Sequence, residues 1–218
     1  MGGGRFWWWA LTLVFCMMEG SRGAAAGAFG AREQNARSQG AAYAGVAAGS
    51  GGLGSIFWNP ASIALFPGLQ SESDISLSGT QARLSPDLYT LSSINGVGGS
   101  PWPSGDMGMW RYTAASYASF QLSNSWWVGA ALNAPYGFVS KPRQDWVGQT
   151  YARSSHLMSA AITPTLGYRV NDWLTLGGGV TAQYLDLTFK RAVSVAPGAP
   201  SAIFQGDDLG LGFSLGAT

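Results

Sequence analysis

Apolar and small or polar positions alternate with period two along most of the chain beyond residue 70. In "WWVGAALNAPYGF", Trp126, Val128, Ala130, Leu132, Ala134, Tyr136 and Phe138 share one side, and Trp127, Gly129, Ala131 and Asn133 the other. In "HLMSAAITPTLGYRV", Met158, Ala160, Ile162, Pro164, Leu166 and Tyr168 oppose Ser159, Thr163, Thr165 and Arg169. "WLTLGGGVTAQY" sets Leu174, Leu176, Val180, Ala182 and Tyr184 against Thr175, Thr181 and Gln183. "DLGLGFSLGA" sets Leu209, Leu211, Phe213 and Leu215 against Gly210, Gly212, Ser214 and Gly216, while "TAASYASFQL" and "SDISLSG" repeat the scheme more weakly. This period predicts strands with one apolar face. Strands near 113–122 and 126–139 are joined by "SNS", and those near 156–170 and 173–190 by "ND". The other links, from Arg83 to Tyr112 and over roughly 140–155 and 191–206, are long.

Composition decides what solvent such faces meet. Only 11% of the residues are charged and 13% are aromatic, so the second faces are Gly, Ala, Ser and Thr where a water-exposed strand would carry Lys and Glu. Aromatics sit at the predicted strand ends: Trp126, Trp127, Tyr168 and Trp173. Long strands, aromatic ends and alternating tight and long links predict an all-β fold, a transmembrane antiparallel β-barrel. Short turns then lie on the periplasmic side and long loops outside. A soluble β-sandwich is the rival. The net charge of +1, without a Lys/Arg run, excludes an electrostatic nucleic-acid footprint.

Residues 1–26 read as an export signal. A single positive charge at Arg5 precedes the apolar run "FWWWALTLVFCMM", which as a helix spans roughly 20 Å, too short for a bilayer core. Ala24 and Ala26 then follow in the spacing of a signal-peptidase site. A membrane anchor is the alternative. Phe15 is too bulky for Cys16 to open a lipobox, and cleavage leaves no cysteine for a disulfide or thiolate metal site.

Asn59-Pro60-Ala61 interrupts the apolar stretch "SIFWNPASIALFPG", where proline removes a donor and bars Asn59 from helical geometry. The segment 27–68 resembles the N-terminal region of the outer-membrane FadL family of long-chain fatty acid transporters, which includes toluene and xylene channels. Gly27-Ala28-Phe29, the run Gly40, Tyr43, Ala44, Gly45, and Asn59-Pro60-Ala61 carry the likeness. It continues through "SYASFQLSNSWWVGAALNAPYGF" and "LGYRVNDWLTLGGGVTAQY". The resemblance implies a barrel of about fourteen strands, closed inside by an N-terminal hatch. Residues 27–71 are the expected hatch, with Phe29, Asn59, Pro60 and Ala61 its motif. Residues 72–218 are expected to form the first six strands of a longer barrel, since six cannot close one.

Pro135, with Gly137 beside it, stands within the third long strand, where proline belongs at an edge or bulge. In the FadL family this strand is similarly kinked and opens the wall beside the hatch. Asn133, Pro135 and Gly137 are therefore the expected lateral exit, the alternative being a strand that ends near Asn133. Higher in the fifth strand, parity turns Leu185, Leu187 and Phe189 inward and Asp186, Thr188 and Lys190 outward, unless a bulge resets it. An inward apolar patch suits an aliphatic or aromatic ligand. Lys190, Arg191, Arg143 and Arg153 are candidates for pairing a carboxylate; Asp186 falls near the place of the family's inward arginine. "SPWPSGDMGMW", with Trp102 and Trp110, is a candidate external docking surface.

No catalytic residues are expected. His156, the lone histidine, lacks a convincing acidic partner in the sequence, and Asp207-Asp208 supplies too few oxygens for calcium. The glycine-rich stretches "GGLG" and "GVGG" lack the strand-then-helix setting of a phosphate loop. No cofactor and no metal are expected. The expectation is a monomeric bacterial outer-membrane channel for hydrophobic small molecules, in contact with outer-membrane lipid and lipopolysaccharide. A structural or adhesive barrel acting through its long loops is the alternative.

Overall fold

The computed structural model describes residues 30–85 and 105–218. Phe29, Cys16, Trp102, "GVGG" and the expected export signal lie outside them. Among the described residues one antiparallel sheet dominates, ordered β1-β4-β5-β7-β8-β9, with β6 also paired to β7. Its strands are β1 (Leu69–Gly79), β4 (Trp110–Gln121), β5 (Trp126–Asn133), β6 (Gly137–Ser140), β7 (Ser154–Asn171), β8 (Leu174–Ala192) and β9 (Ser201–Ala217). A short pair, β2 (Arg83–Leu84) with β3 (Gly105–Asp106), continues the β1/β4 pairing in the same register, linked to it by bonds between Thr80 and Met109 and between Ala82 and Met107.

The tight turns form where predicted. Ser123 Oγ accepts from the backbone N–H of Ser125 and Trp126, and Asn171 Oδ1 accepts from Trp173 and Leu174. Short polar side chains close both reversals in this way. Trp126 and Tyr168 pack against each other at that end with ring centroids 4.5 Å apart.

The sheet holds its apolar face away from the interior. Phe213, for example, is 81% exposed, as are most of Leu211, Leu215, Ile75 and Tyr112. Such a surface is disfavoured in water and is what a hydrocarbon solvent requires. Against the other face lies the N-terminal segment: α1 (Ala36–Gly40) and three 3-10 turns, Val46–Ala48, Gly52–Phe57 and Pro60–Leu65. Its Leu53, Ile56, Ile63 and Ala64 form a core with Ala115, Tyr117, Trp127 and Ala131 of the wall.

Two expectations need correction. First, the long outer link ends earlier than residue 206, because β9 starts at Ser201, paired with Ala192. The prolines of "APGAP" mark only the loop 193–200. Second, Phe138 does not share the outward face of Trp126. Asn133 pairs with Ala161 and Gly137 with Met158, four steps on one strand against three on the other. The extra residue is a bulge that reverses parity, so Phe138 faces inward opposite Leu157. Trp110, of the candidate docking surface, opens β4, is 72% exposed and pairs with Gly79, across which its ring lies.

Candidate functional site

The N-terminal segment, the expected hatch, meets the wall along a row of inward glycines. A Cβ on Gly129 or Gly167 would overlap Ile63, one on Gly177 would overlap the backbone of Pro60 and Ala61, and one on Gly216 would overlap the Asn59 side chain. Small residues on the inward faces of β5, β7, β8 and β9 thus give the Pro60–Leu65 turn its seat.

Asn59 starts this turn and also ties it down. Its Oδ1 accepts from the Ala61 N–H at 3.0 Å, while its Nδ2 donates to the carbonyls of Ala47 (2.8 Å) and Ala217 (2.9 Å). Pro60 occupies the first position of the turn, where no N–H is needed. At the other end, Trp127 Nε1 donates to the Phe66 carbonyl and Arg169 to the Ala64 carbonyl, with the guanidinium 4.8 Å above the Trp127 ring. Asn59→Ala removes one tie to β9, one tie within the N-terminal segment and the cap, and is expected to weaken hatch docking by about 1–3 kcal/mol. Faster protease cleavage within residues 36–66 of the folded protein would report the loss; unchanged protection would refute it.

Two inward carboxylates hold the hatch from β1. Glu72 accepts from Asn35 Nδ2 at 2.5 Å and from the Leu53 N–H at 2.7 Å, and Asp74 from the Ala36 N–H at 2.9 Å. Tyr43 fastens the hatch to itself, donating to the Arg32 carbonyl at 2.7 Å. Burial, and then the charge of Glu33, hold its phenol above the ordinary value, which keeps the donor proton in place.

Between Asn133 and Gly137 the wall is interrupted. Residues Ser116–Gln121 of β4 pair with β5, but Trp110–Ala115 pair only with β1. The other edge of that upper stretch faces β6 across a gap. A cavity of about 210 Å³ lies at it, lined by Ala31 of the N-terminal segment and by the outward Trp110, Tyr112 and Met158. The bulge backbone is satisfied from three sides. Ser159 Oγ accepts from the Tyr136 N–H and donates to the Tyr136 carbonyl, the Ala31 N–H donates to the Pro135 carbonyl, and Gln34 Nε2 donates to Ala134. Gln34 is fully buried; its Oε1 accepts from Asn133 Nδ2, which also donates to the Tyr117 hydroxyl.

Register runs unbroken between β8 and β9, so Leu185, Leu187 and Phe189 share the inward face, and Phe189 pairs with Phe204. Leu187 pairs with Leu157, which pairs in turn with Phe138. An inward apolar row therefore crosses β8, β7 and β6 and ends at the gap. Of the candidate cations, Lys190 faces outward, paired with Ile203, and Arg191 inward, paired with Ala202. Arg153 is already engaged. It donates to Asp145, Gln149, the Ala199 carbonyl and Ser201, fastening two outer loops together. Asp207 and Asp208 point to opposite faces. His156 does have an acidic neighbour, Asp186 at 3.9 Å, on the outward face.

Sequence reasoning missed Glu72, Asp74, Gln34, Tyr117, Glu33 and Arg111. The one available signal was the spacing of Glu72 and Asp74, two acids two residues apart, hence on a single strand face.

Residues 17–218 match the family described as outer membrane protein transport protein (OMPP1/FadL/TodX). Outer membrane protein P1 of Haemophilus influenzae is 24% identical over 190 residues, covering 84% of this chain and 41% of that protein. A FadL homologue of Pseudomonas aeruginosa, known as a crystal structure, is similar with a TM-score of 0.63 and 19% identity, over 87% of this chain and 49% of the other. The chain spans less than half the length of either relative.

Proposed function

The chain belongs to the OMPP1/FadL/TodX family of outer-membrane transport proteins, and on that premise we propose that it forms the hatch and adjoining wall of a passive channel for hydrophobic compounds. Long-chain fatty acids or aromatic hydrocarbons are the substrates, and they leave sideways between β4 and β6. Supporting this reading above all is the inward row Leu187, Leu157, Phe138, which leads from the upper lumen directly to the gap. An apolar lining that ends at a break in the wall gives a hydrophobic solute a dry path out of water. Lipid and lipopolysaccharide cover the outward faces, the barrel works as a monomer, and residues 1–26 serve as the cleaved export signal.

The test is uptake of labelled oleate and of toluene by cells expressing the full-length protein, with heat-modifiable migration in detergent as the check on barrel formation. Uptake above that of cells lacking the protein is the expected result. A correctly folded barrel that admits neither compound would overturn the channel and leave a scaffold acting through its loops.

A further inference from the structure

Arg111 lies on the stretch of β4 that has no neighbour on the gap side, and its side chain faces inward, on the same face as Thr113 and Ala115. One of its terminal nitrogens donates to the Gly137 carbonyl of β6. The other is 3.1 Å from the Glu33 carboxylate of the hatch. A single guanidinium thus spans the gap where the backbone ladder does not, joining β4, β6 and the hatch. Neither partner of the ion pair is sealed off: the side chains are 25% and 23% exposed, and Arg111 lines the cavity at the gap. Among the described residues lining that cavity, Arg111 and His156 alone can carry positive charge.

We propose that Arg111 is the latch of the wall gap and that the Glu33 carboxylate holds its place until the anionic head group of a passing amphiphile takes it. The planar guanidinium suits such an exchange, because it binds one carboxylate as readily as another and keeps its charge throughout. Exchange frees the hatch margin at Glu33 while leaving the Gly137 contact available to hold the strands in register. The gap then discriminates by head group: an uncharged compound of equal length passes it without displacing Glu33, whereas a carboxylate displaces it. This rests on the sideways exit proposed above and adds to it a residue that sets specificity at that exit.

The experiment compares Arg111→Ala, Arg111→Lys and Glu33→Gln in the full-length protein, inserted and heat-modifiable, for uptake of oleate and of the uncharged alcohol of the same chain. Arg111→Ala is expected to lower the oleate-to-alcohol uptake ratio by about tenfold, the factor carried by one charge-assisted hydrogen bond. Glu33→Gln is expected to raise the ratio, and Arg111→Lys to restore part of it. Ratios that stay at the wild-type value in all three variants would overturn the proposal, even if total uptake falls. Spin labels at Leu77 and Lys141, on either side of the gap, give a second readout that needs no transport. Arg111→Ala should broaden their distance distribution, while oleate in the wild type should leave it narrow because the Gly137 contact persists; a distribution unmoved by Arg111→Ala refutes the latch. Should the wild type carry neither compound, the channel reading fails by itself and the label distances alone decide the latch.

Discussion

Gly177→Val is expected to abolish the folded, heat-modifiable form of the full-length protein, and Gly216→Val to impair it nearly as much. Overpacking typically costs about 1–3 kcal/mol where neighbouring side chains can turn aside. At Gly177 the obstacle is the Pro60–Ala61 backbone, fixed by the proline ring and by the Asn59 cap, so little can yield. At Gly216 the obstacle is Asn59 itself, and moving it breaks the bonds to Ala47 and Ala217. Gly210 and Gly212 provide the control. They lie on the same inward face of β9, yet a Cβ there meets its nearest atom at 3.9 Å, an ordinary contact. Valine at those two positions should be accepted. If Gly177→Val and Gly212→Val behaved alike in detergent migration and in antibiotic sensitivity of the cells, the hatch would not be seated as described.

The second large effect concerns the bulge. Replacing Pro135 and Gly137 together with valine should cut uptake severalfold while the barrel still forms. Valine at 135 restores a backbone donor and favours extended geometry. The surplus residue would still break the ladder, so a companion variant that also deletes Ala134 makes the count between Asn133 and Gly137 equal to that between Ala161 and Met158. This companion should close the wall most completely. Undiminished uptake by a correctly inserted companion variant would refute the sideways exit and leave the lumen as the route.

Sequence periodicity revealed those elements whose two faces differ chemically. β5, β7 and β8 were legible because Leu, Val and Met alternate with Gly, Ser and Thr, and Asn171 and Ser123 announced the reversals. The start of β9 was hidden because Ala202, Ile203 and Phe204 are apolar on both faces, which erases alternation. Parity alone puts Phe138 on the wrong face, because Pro135 and Gly137 mark an irregularity without showing that it adds one residue. The hatch contacts were out of reach for another reason. Asn35 meets Glu72 and Asp74, and Glu33 meets Arg111, across separations that no local pattern spans. A 3-10 turn such as Pro60–Leu65 also has no amphipathic repeat long enough to read.

The length of β8 sets the altitude at which all this happens. A tilted strand crosses the hydrocarbon slab in about 9–11 residues, and the outward face of β8 is apolar over Leu174–Tyr184 before turning to Asp186, Thr188 and Lys190. On the outer-membrane reading Leu187 and Phe189 would stand above this apolar band, and Gly137 is in register with Met158 and, beyond it, Asp186, where the band ends. On the sideways reading, a solute sheds its water and departs at nearly one height, within the outer leaflet. The glycine-seated plug beneath would never have to travel, and the protein would operate as a sluice at the rim, with no piston in its shaft.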